Sequence, residues 1–255
     1  MNTRISWYAL VAAGTAAIGA VAHGDMITVT YDGTGAGLRT DVSFTGQSWD
    51  ETGDETFYNV SAFERLWTSE GGDSLTTWCI EIFQGLTPDS TVTFDIVDPT
   101  EAPGEGPPNP GPMTEGEAAV LADVFARWID PSTGGIGDGG VAGDSTDARA
   151  AAFQLVVWEI THENFTATDR DGVADQISLD MGGLQYGGTD ADGDEVAFWI
   201  DEIVSSIGEG GWLEADLLGL IDEEAQDQII LVPAPGALAL LGLGSFAAVR
   251  RRRRA

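Results

Sequence analysis

The sequence predicts a fold of the α+β class, with strand-like segments in the first half of the chain and helix-like segments in most of the second. Hydrophobic residues make up 43% and aromatic residues 9% of the 255 residues, which is enough to bury one substantial core. The strand-like segments are rich in β-branched and aromatic residues, and the helix-like segments are apolar at helical spacing. These observations favour one mixed domain rather than two small ones.

The strand predictions rest on the alternation of apolar and polar side chains. Residues 27–31 alternate in this way and are followed by Asp32 and Gly33, a pair typical of turns. Residues 75–83 form the longest predicted strand, and it contains the single cysteine, Cys79. The predicted strands are residues 27–31, 42–44, 57–60, 75–83 and 91–97, together with residues 228–231 as a strand or a linker.

The helix predictions rest on capping residues and on apolar spacing. Thr114 and Glu117 form a capping box, so a helix is expected to run from there to about Trp128. The next helix is apolar almost throughout and should be buried, with Gln154 in its interior. An unpaired buried carboxamide costs about 1–3 kcal/mol, so Gln154 must have a hydrogen-bonded or covalent partner. The predicted helices are residues 114–128, 148–161 and 196–207.

Both ends of the chain have the composition of targeting signals. Residues 1–22 combine Arg4 with an alanine-rich apolar run and a small-x-small cleavage site, as secretory signal peptides do. The opposite end has an apolar run shorter than the roughly 20 residues of a membrane span, followed by five arginines that favour the cytoplasmic side. We therefore predict a signal peptide at residues 1–22, an extracellular domain at residues 23–230 and a sorting signal at residues 231–255. The sorting motif is assigned to Pro233 and Pro235, and the stop-transfer cluster to Arg250, Arg251, Arg252, Arg253 and Arg254.

The order Pro-x-Pro, short apolar helix and terminal arginine cluster closely resembles the PEP-CTERM protein-sorting signal of bacteria. This resemblance implies an exosortase-type membrane protease as a partner, and then release or attachment at the cell surface or in the extracellular matrix. Ala234 stands where the family has a glutamate, so a related protease is an alternative partner. A plain C-terminal membrane anchor is another alternative, and it also leaves the domain outside the cell.

The net charge is strongly negative, because 42 acidic residues against 11 arginines and no lysine give −31 at pH 7. Such a surface repels nucleic-acid phosphates, so we expect no nucleic-acid partner. Two D-x-D-G segments have oxygen ligands at alternate positions, as calcium loops do, although neither completes the EF-hand pattern. Solvated acidic turns are the alternative. The candidate calcium ligands are Asp169, Asp171, Asp175, Asp190, Asp192 and Asp194.

Cys79 has no second cysteine with which to form an intramolecular disulfide. In an exported chain such a thiol is reactive, forms an intermolecular disulfide, or is buried and inert. Gln154 offers a chemical partner, because a thiol packed against a carboxamide can expel ammonia and form an internal thioester. A chain without lysine also lacks side-chain amines that could attack this thioester. We therefore predict that Cys79 and Gln154 meet in the fold and form a thioester.

Residues 78–81 (Trp-Cys-Ile-Glu) and 153–158 (Phe-Gln-Leu-Val-Val-Trp) resemble the signatures of bacterial surface thioester domains. The resemblance covers residues 67–163, and Val156 stands where the family has a small alanine. It implies that Cys79 is the acyl carrier and Gln154 the acyl donor, in a β-barrel or sandwich with inserted helices. It also implies covalent capture of amines or hydroxyls on a neighbouring surface, which is adhesion rather than enzymatic turnover.

Two other functions are compatible with the sequence. The domain could be a non-covalent matrix or carbohydrate-binding module, in which exposed tryptophans stack on sugars and the aspartates bind calcium. Alternatively, Cys79 could be a hydrolase nucleophile with His162 as its base. His162 lies between Glu159 and Glu163 near a predicted helix end, so it is expected to be solvent-exposed, and no nucleophile motif surrounds Cys79. We therefore expect a non-enzymatic surface protein.

Overall fold

The computed structural model describes residues 26–44, 55–104, 111–137, 146–187 and 193–232, with no side-chain description for residues 55–58. The described ranges confirm the α+β class, with a large antiparallel sheet and several helices. The predicted export signal and the sorting motif lie outside them. In chain order, the elements are β1 (Met26–Phe44), β2 (Glu55–Ser69), β3 (Ser74–Cys79), β4 (Thr91–Val97), α1 (Glu115–Trp128), α2 (Thr146–His162), α3 (Arg170–Ala174), β5 (Leu184–Tyr186), α4 (Gly193–Ser206), β6 (Leu217–Ile221) and β7 (Gln228–Leu231).

Six of these strands pair in a closed cycle, which we call the closed sheet. β1 pairs with β2, β2 with β3, β3 with β7, β7 with β6, β6 with β4, and β4 with β1 again. Every pairing is antiparallel. β5 lies outside the cycle and pairs with the far end of β1, at Val42–Phe44. Because the cycle returns to its first strand, it offers far less free edge to other chains than an open sheet does.

β1 is longer than the alternation pattern indicated. The turn predicted at Asp32 and Gly33 does not form, and the strand continues to Phe44, so that prediction is wrong. Three register shifts against β2 interrupt the pairing instead. Such bulges bend a strand without ending it, and Gly33 and Gly37 supply positive φ angles of 132° and 144° beside two of them. The bends allow one strand to reach β4 with its first residues and β5 with its last.

The strand that contains the cysteine is shorter than predicted. β3 ends at Cys79 rather than at residue 83. Beyond it, the Ile80 N–H still bonds to Asp227 O at 3.1 Å, but the Glu81 carbonyl accepts from the Gln226 side chain at 2.8 Å. A side-chain amide thus replaces the strand ladder at this point. Residues 228–231, predicted as a strand or a linker, form the strand β7.

The helices follow the predicted pattern closely. α1 begins at the predicted capping box, in which Thr114 accepts from the Glu117 N–H at 3.2 Å and the Glu117 carboxylate accepts from the Thr114 N–H. α2 is buried from residue 148 to residue 162, as expected for a helix that is apolar on all sides. α4 corresponds to the third predicted helix. No helix within the described ranges is long and apolar enough to cross a membrane.

Two groups of apolar side chains form the core. The larger lies between α2, the other helices and the outer face of the closed sheet. The smaller contains Val29, Tyr31, Trp67, Phe94 and Leu220, which come from four strands of the closed sheet. The Trp67 and Phe94 rings are 5.4 Å apart although their strands are not neighbours, so these residues meet across the inside of the closed sheet. Cys79 lies at the end of β3, in the larger group.

Candidate functional site

The structure brings Cys79 and Gln154 together. Both are fully buried, Cys79 at the end of β3 and Gln154 in the middle of α2. The Cys79 N–H donates to Gln154 Oε1 at 3.0 Å, and Gln154 Nε2 donates to the Cys79 carbonyl at 2.7 Å. The carboxamide of Gln154 therefore pairs with the backbone of Cys79 by two hydrogen bonds.

The Gln154 carboxamide pairs with β3 at a position where β2 no longer does. Ile80 directs its N–H toward β7, so Cys79, one residue earlier, directs its own N–H and C=O toward the other edge of β3. On that edge the pairing with β2 ends at Thr77, which lies opposite Arg65. The Gln154 carboxamide has the donor and acceptor of a peptide group and extends the ladder by one place. The two hydrogen bonds thus satisfy both the buried carboxamide of Gln154 and the backbone groups at the end of β3.

Aromatic packing holds α2 against this end of β3. Phe153, the residue before Gln154, lies 4.5 Å from the Trp78 ring and 5.1 Å from the Phe125 ring, measured between centroids. Trp78 also donates to the Gly134 carbonyl at 3.1 Å. Val156, which differs from the family pattern, is fully buried, yet the helix still lies close enough for both Gln154 hydrogen bonds.

The Cys79 thiol is electrically neutral in this environment. Burial raises its pKa to about 12, and the Arg65 charge, the Trp158 side chain and the Glu81 backbone lower it only in part. The thiol donates to the Glu81 carbonyl oxygen. At neutral pH the sulfur is therefore protonated and shielded from water, which suppresses reactions with solutes that do not reach the interior.

A network of buried polar side chains lies beside the cysteine, and sequence reasoning missed it. Gln226 donates from Nε2 to the carbonyls of Glu81 and Gln84, both at 2.8 Å, and its Oε1 accepts from Arg65 at 3.4 Å. Asp227 accepts from the Gly104 N–H at 2.8 Å, and burial raises its pKa to about 6. Residues 226–228 form a polar run that leads into the apolar strand β7, and this was the available signal.

His162 is fully buried, so the expectation of an exposed histidine is wrong. Its ring packs against Phe44 and Phe83 at 5.8 and 5.9 Å, and its Nδ1 lies 2.9 Å from Thr161 Oγ1. Burial lowers its pKa to about 4. It lies eight positions after Gln154, about 12 Å along the helix axis, so the helix carries it away from the hydrogen bonds to Cys79. This placement does not support the alternative in which His162 activates Cys79.

The candidate calcium ligands are only partly described. Asp190 and Asp192 lie outside the described residues. The first segment, predicted as an acidic loop, forms the short helix α3, because Asp169 caps it by accepting from the Gly172 N–H at 3.0 Å. Asp171 lies 3.5 Å from Arg170. Within the described ranges, no three acidic, histidine or cysteine side chains are close enough to hold one metal ion, and this includes Asp175 and Asp194. Calcium binding stays a prediction.

No protein-family model matches the chain. No curated protein matches it either. Among solved structures, it is similar to the N-terminal thioester domain of fibronectin-binding protein SfbI from Streptococcus pyogenes. The TM-score is 0.42 and the sequence identity 8%, over 80% of this chain and 99% of the other. A likeness this distant supports no conclusion about the fold or function of this chain.

Proposed function

We propose that this protein is a surface adhesin or matrix cross-linker that stores an acyl group as a thioester between Cys79 and Gln154. The observation that carries the proposal is the pairing of the Gln154 carboxamide with the Cys79 backbone, at 2.7 and 3.0 Å. This pairing holds the carboxamide beside the residue that bears the thiol. The closed sheet with its packed helices would then be a β-barrel with inserted helices, as the family resemblance implies.

Bond formation requires no cofactor. The Cys79 sulfur attacks Cδ of Gln154, and the negative charge that develops on Oε1 lies opposite the Cys79 N–H, which already donates to this oxygen. The Cδ–Nε2 bond then breaks. The thiol proton passes to the departing nitrogen, which leaves as ammonia, so thiol and carboxamide become thioester and ammonia. Complete burial of both residues would protect the product from hydrolysis.

The stored acyl group would be transferred to an amine or hydroxyl on a neighbouring surface, including those of polysaccharides. The nucleophile bonds to Cδ of Gln154, the Cδ–Sγ bond breaks, and Cys79 regains a thiol. The reaction occurs once for each molecule, so the protein is not an enzyme. The absence of lysine from the sequence suits this role, because no lysine amine of the protein itself competes.

We further propose that the protein is exported and sorted to the cell surface or extracellular matrix. The support is the predicted export signal at residues 1–22 and the PEP-CTERM-like order of residues 231–255. An exosortase-type membrane protease is the expected partner, and the C-terminal apolar segment would hold the protein in the membrane before processing. Replacing both Pro233 and Pro235 by alanine should leave the protein unprocessed in the membrane fraction. Normal processing and release of this variant would contradict the sorting proposal.

The decisive experiment for the thioester is an intact-mass measurement of the purified domain. We expect the wild type to weigh less than its sequence mass by one ammonia, whereas Cys79→Ala and Gln154→Ala should both have their full sequence masses. Methylamine should add its own mass to the wild type and to neither variant. A wild-type mass equal to the sequence mass, in protein that was not exposed to amines, would rule the thioester out.

A further inference from the structure

The indole of Trp158 is a buried polar group of α2 to which the proposed function assigns no role. Its side chain is 1% exposed, and within the described part of the chain Nε1 has no hydrogen-bond partner. Buried N–H groups in folded proteins are nearly always paired. A donor left in this state is therefore available to an acceptor that forms only during a reaction.

The position of Trp158 identifies that acceptor. Trp158 lies one helical turn after Gln154 and on the same face of α2. Gln154 is hydrogen-bonded to Cys79, so this face is directed at the cysteine. The Trp158 side chain also lowers the pKa of the Cys79 thiol against the effect of burial, as a weak hydrogen bond to the sulfur does, although the contact falls short of the geometry of an ordinary hydrogen bond. The unpaired donor and the thiol thus meet inside the protein.

We propose that the Trp158 N–H is a catalytic hydrogen-bond donor that stabilises the sulfur anion released when a nucleophile opens the Cys79–Gln154 thioester. This inference rests on the proposed function. As an amine nitrogen bonds to Cδ of Gln154, the Cδ–Sγ bond breaks and its electron pair moves to the sulfur. The indole N–H donates to this sulfur, and the proton lost by the amine then converts it to the neutral thiol.

The need for such a donor follows from the surroundings of the sulfur. Burial raises the pKa of the thiol to about 12, and a thiolate of such a basic thiol is a poor leaving group. The Glu81 carbonyl, which accepts from the neutral thiol, is an acceptor and offers no stabilisation to an anion. A hydrogen bond from the indole lowers the cost of the anion where it forms.

The test compares Trp158→Phe with Trp199→Phe as a matched control. Trp199 is also buried, at 3% exposure, and its Nε1 also lacks a partner in the described ranges, but it packs against Arg149 and Trp128. We expect Trp158→Phe to retain the thioester and to react with methylamine about tenfold more slowly than wild type, as followed by intact mass. Trp199→Phe should react within about twofold of wild type. A merely structural role predicts the opposite sign, because looser packing admits methylamine faster. Unchanged or faster reaction of Trp158→Phe would overturn the proposal.

A second measurement does not depend on the thioester. Gln154→Ala cannot form one, so its thiol is free, and the rate of alkylation by iodoacetamide from pH 7 to 9 follows the thiolate fraction. Adding Trp158→Phe to Gln154→Ala should lower this rate about threefold at every pH, because the greater nucleophilicity of a more basic thiolate offsets part of a roughly tenfold lower thiolate fraction, and adding Trp199→Phe should leave the rate unchanged. Equal rates for the two double variants would refute stabilisation of the thiolate by Trp158. This result is readable even if the wild type contains no thioester or if Trp158→Phe alone fails to form one.

Discussion

Gln154 stabilises the fold as well as supplying the proposed acyl group. In Cys79→Ala, which cannot form a thioester, the Gln154 carboxamide still satisfies the backbone N–H and C=O of residue 79. Adding Gln154→Ala leaves both groups unpaired in the interior. We expect the double variant to lose about 2–5 kcal/mol of unfolding free energy relative to Cys79→Ala, measured by urea denaturation. A loss below about 1 kcal/mol would show that water or a neighbouring group replaces the carboxamide.

Glu159 is a buried acid that should remain protonated at neutral pH. Its Oε1 accepts from the Ser178 N–H at 2.9 Å, while Oε2 has no partner among the described residues. Burial raises its pKa from 4.5 to about 9. Between these values the folded protein holds a proton that the unfolded chain releases, so rising pH destabilises the fold through this group.

Glu159→Gln should remove that dependence, because an amide resembles the protonated acid and does not titrate. We expect the stability of the variant relative to wild type to increase with pH between about 5 and 8, by up to about 1.4 kcal/mol per pH unit. His162, whose lowered pKa gives the opposite slope in acid, is present in both proteins and cancels. Denaturation curves at four pH values provide the measurement. Parallel pH profiles for the two proteins would contradict the expectation.

Single residues were predicted unevenly from the sequence. The residue pattern correctly placed Gln154 in a buried helix and required a hydrogen-bonded or covalent partner for it, and in the structure the backbone of Cys79 supplies the hydrogen bonds. It failed for His162, which was expected to be solvent-exposed because two glutamates lie near it in the sequence. Glu159 and Glu163 instead accept from the backbone N–H groups of Ser178 and Leu184, in a segment that covers the helix end. Contacts with a later segment are not visible in local sequence.

β1 contains glycines at two of its three register shifts against β2, Gly33 and Gly37. At Gly37 an added Cβ would meet the Ala62 carbonyl oxygen and lie 2.5 Å from Cα of Phe63, whereas at Gly33 it would meet nothing within 4 Å. Both glycines have positive φ. We expect Gly33→Ala to cost about 1 kcal/mol through backbone conformation, and Gly37→Ala at least about 2 kcal/mol more through the added clash. Thermal unfolding of the two variants tests this, and equal losses would show that β2 moves away without cost.

Elements with a local cause were predicted well, and those with a distant cause were not. The start of α1 is determined by Thr114 and Glu117, two residues that bond to each other, and it was predicted correctly. The continuation of β1 through Asp32 is determined by pairing with β2, which begins more than ten residues after β1 ends. The end of β3 is determined by Gln226, which lies two residues before β7 begins. A local pattern, such as a turn pair or an alternation of apolar and polar residues, does not indicate which distant residues pair with the segment.

The protein as a whole carries a net charge of −31, so mutual repulsion of its carboxylates should limit its stability. We expect the melting temperature at pH 7 to rise by about 2–4 °C from low salt to 1 M NaCl. This is the shift that corresponds to a gain of about 1 kcal/mol in unfolding free energy when salt screens the repulsion. Near pH 4 the net charge approaches zero, since the isoelectric point is about 4.1, and the effect should shrink. A melting temperature that falls with salt at pH 7 would refute the repulsion argument.

The same experiment separates general screening from calcium binding. Magnesium and calcium chlorides at equal concentration screen charge equally, so a larger rise with calcium indicates a specific site. We expect this difference to disappear in Asp171→Asn if the first acidic segment supplies ligands. Equal effects of the two cations on the wild type would contradict calcium binding.

The closed sheet also determines when the fold can be completed during synthesis. β7 is the last described strand in chain order, yet it lies between β3 and β6 and pairs directly with Cys79. A chain that emerges N-terminus first therefore exposes Cys79 and then Gln154 well before the final partner of their strand exists. The cycle of strands closes only when residues 228–231 arrive. The arrival of β7 thus limits when the sheet can close. Cys79 acquires its complete native surroundings as one of the last events of folding.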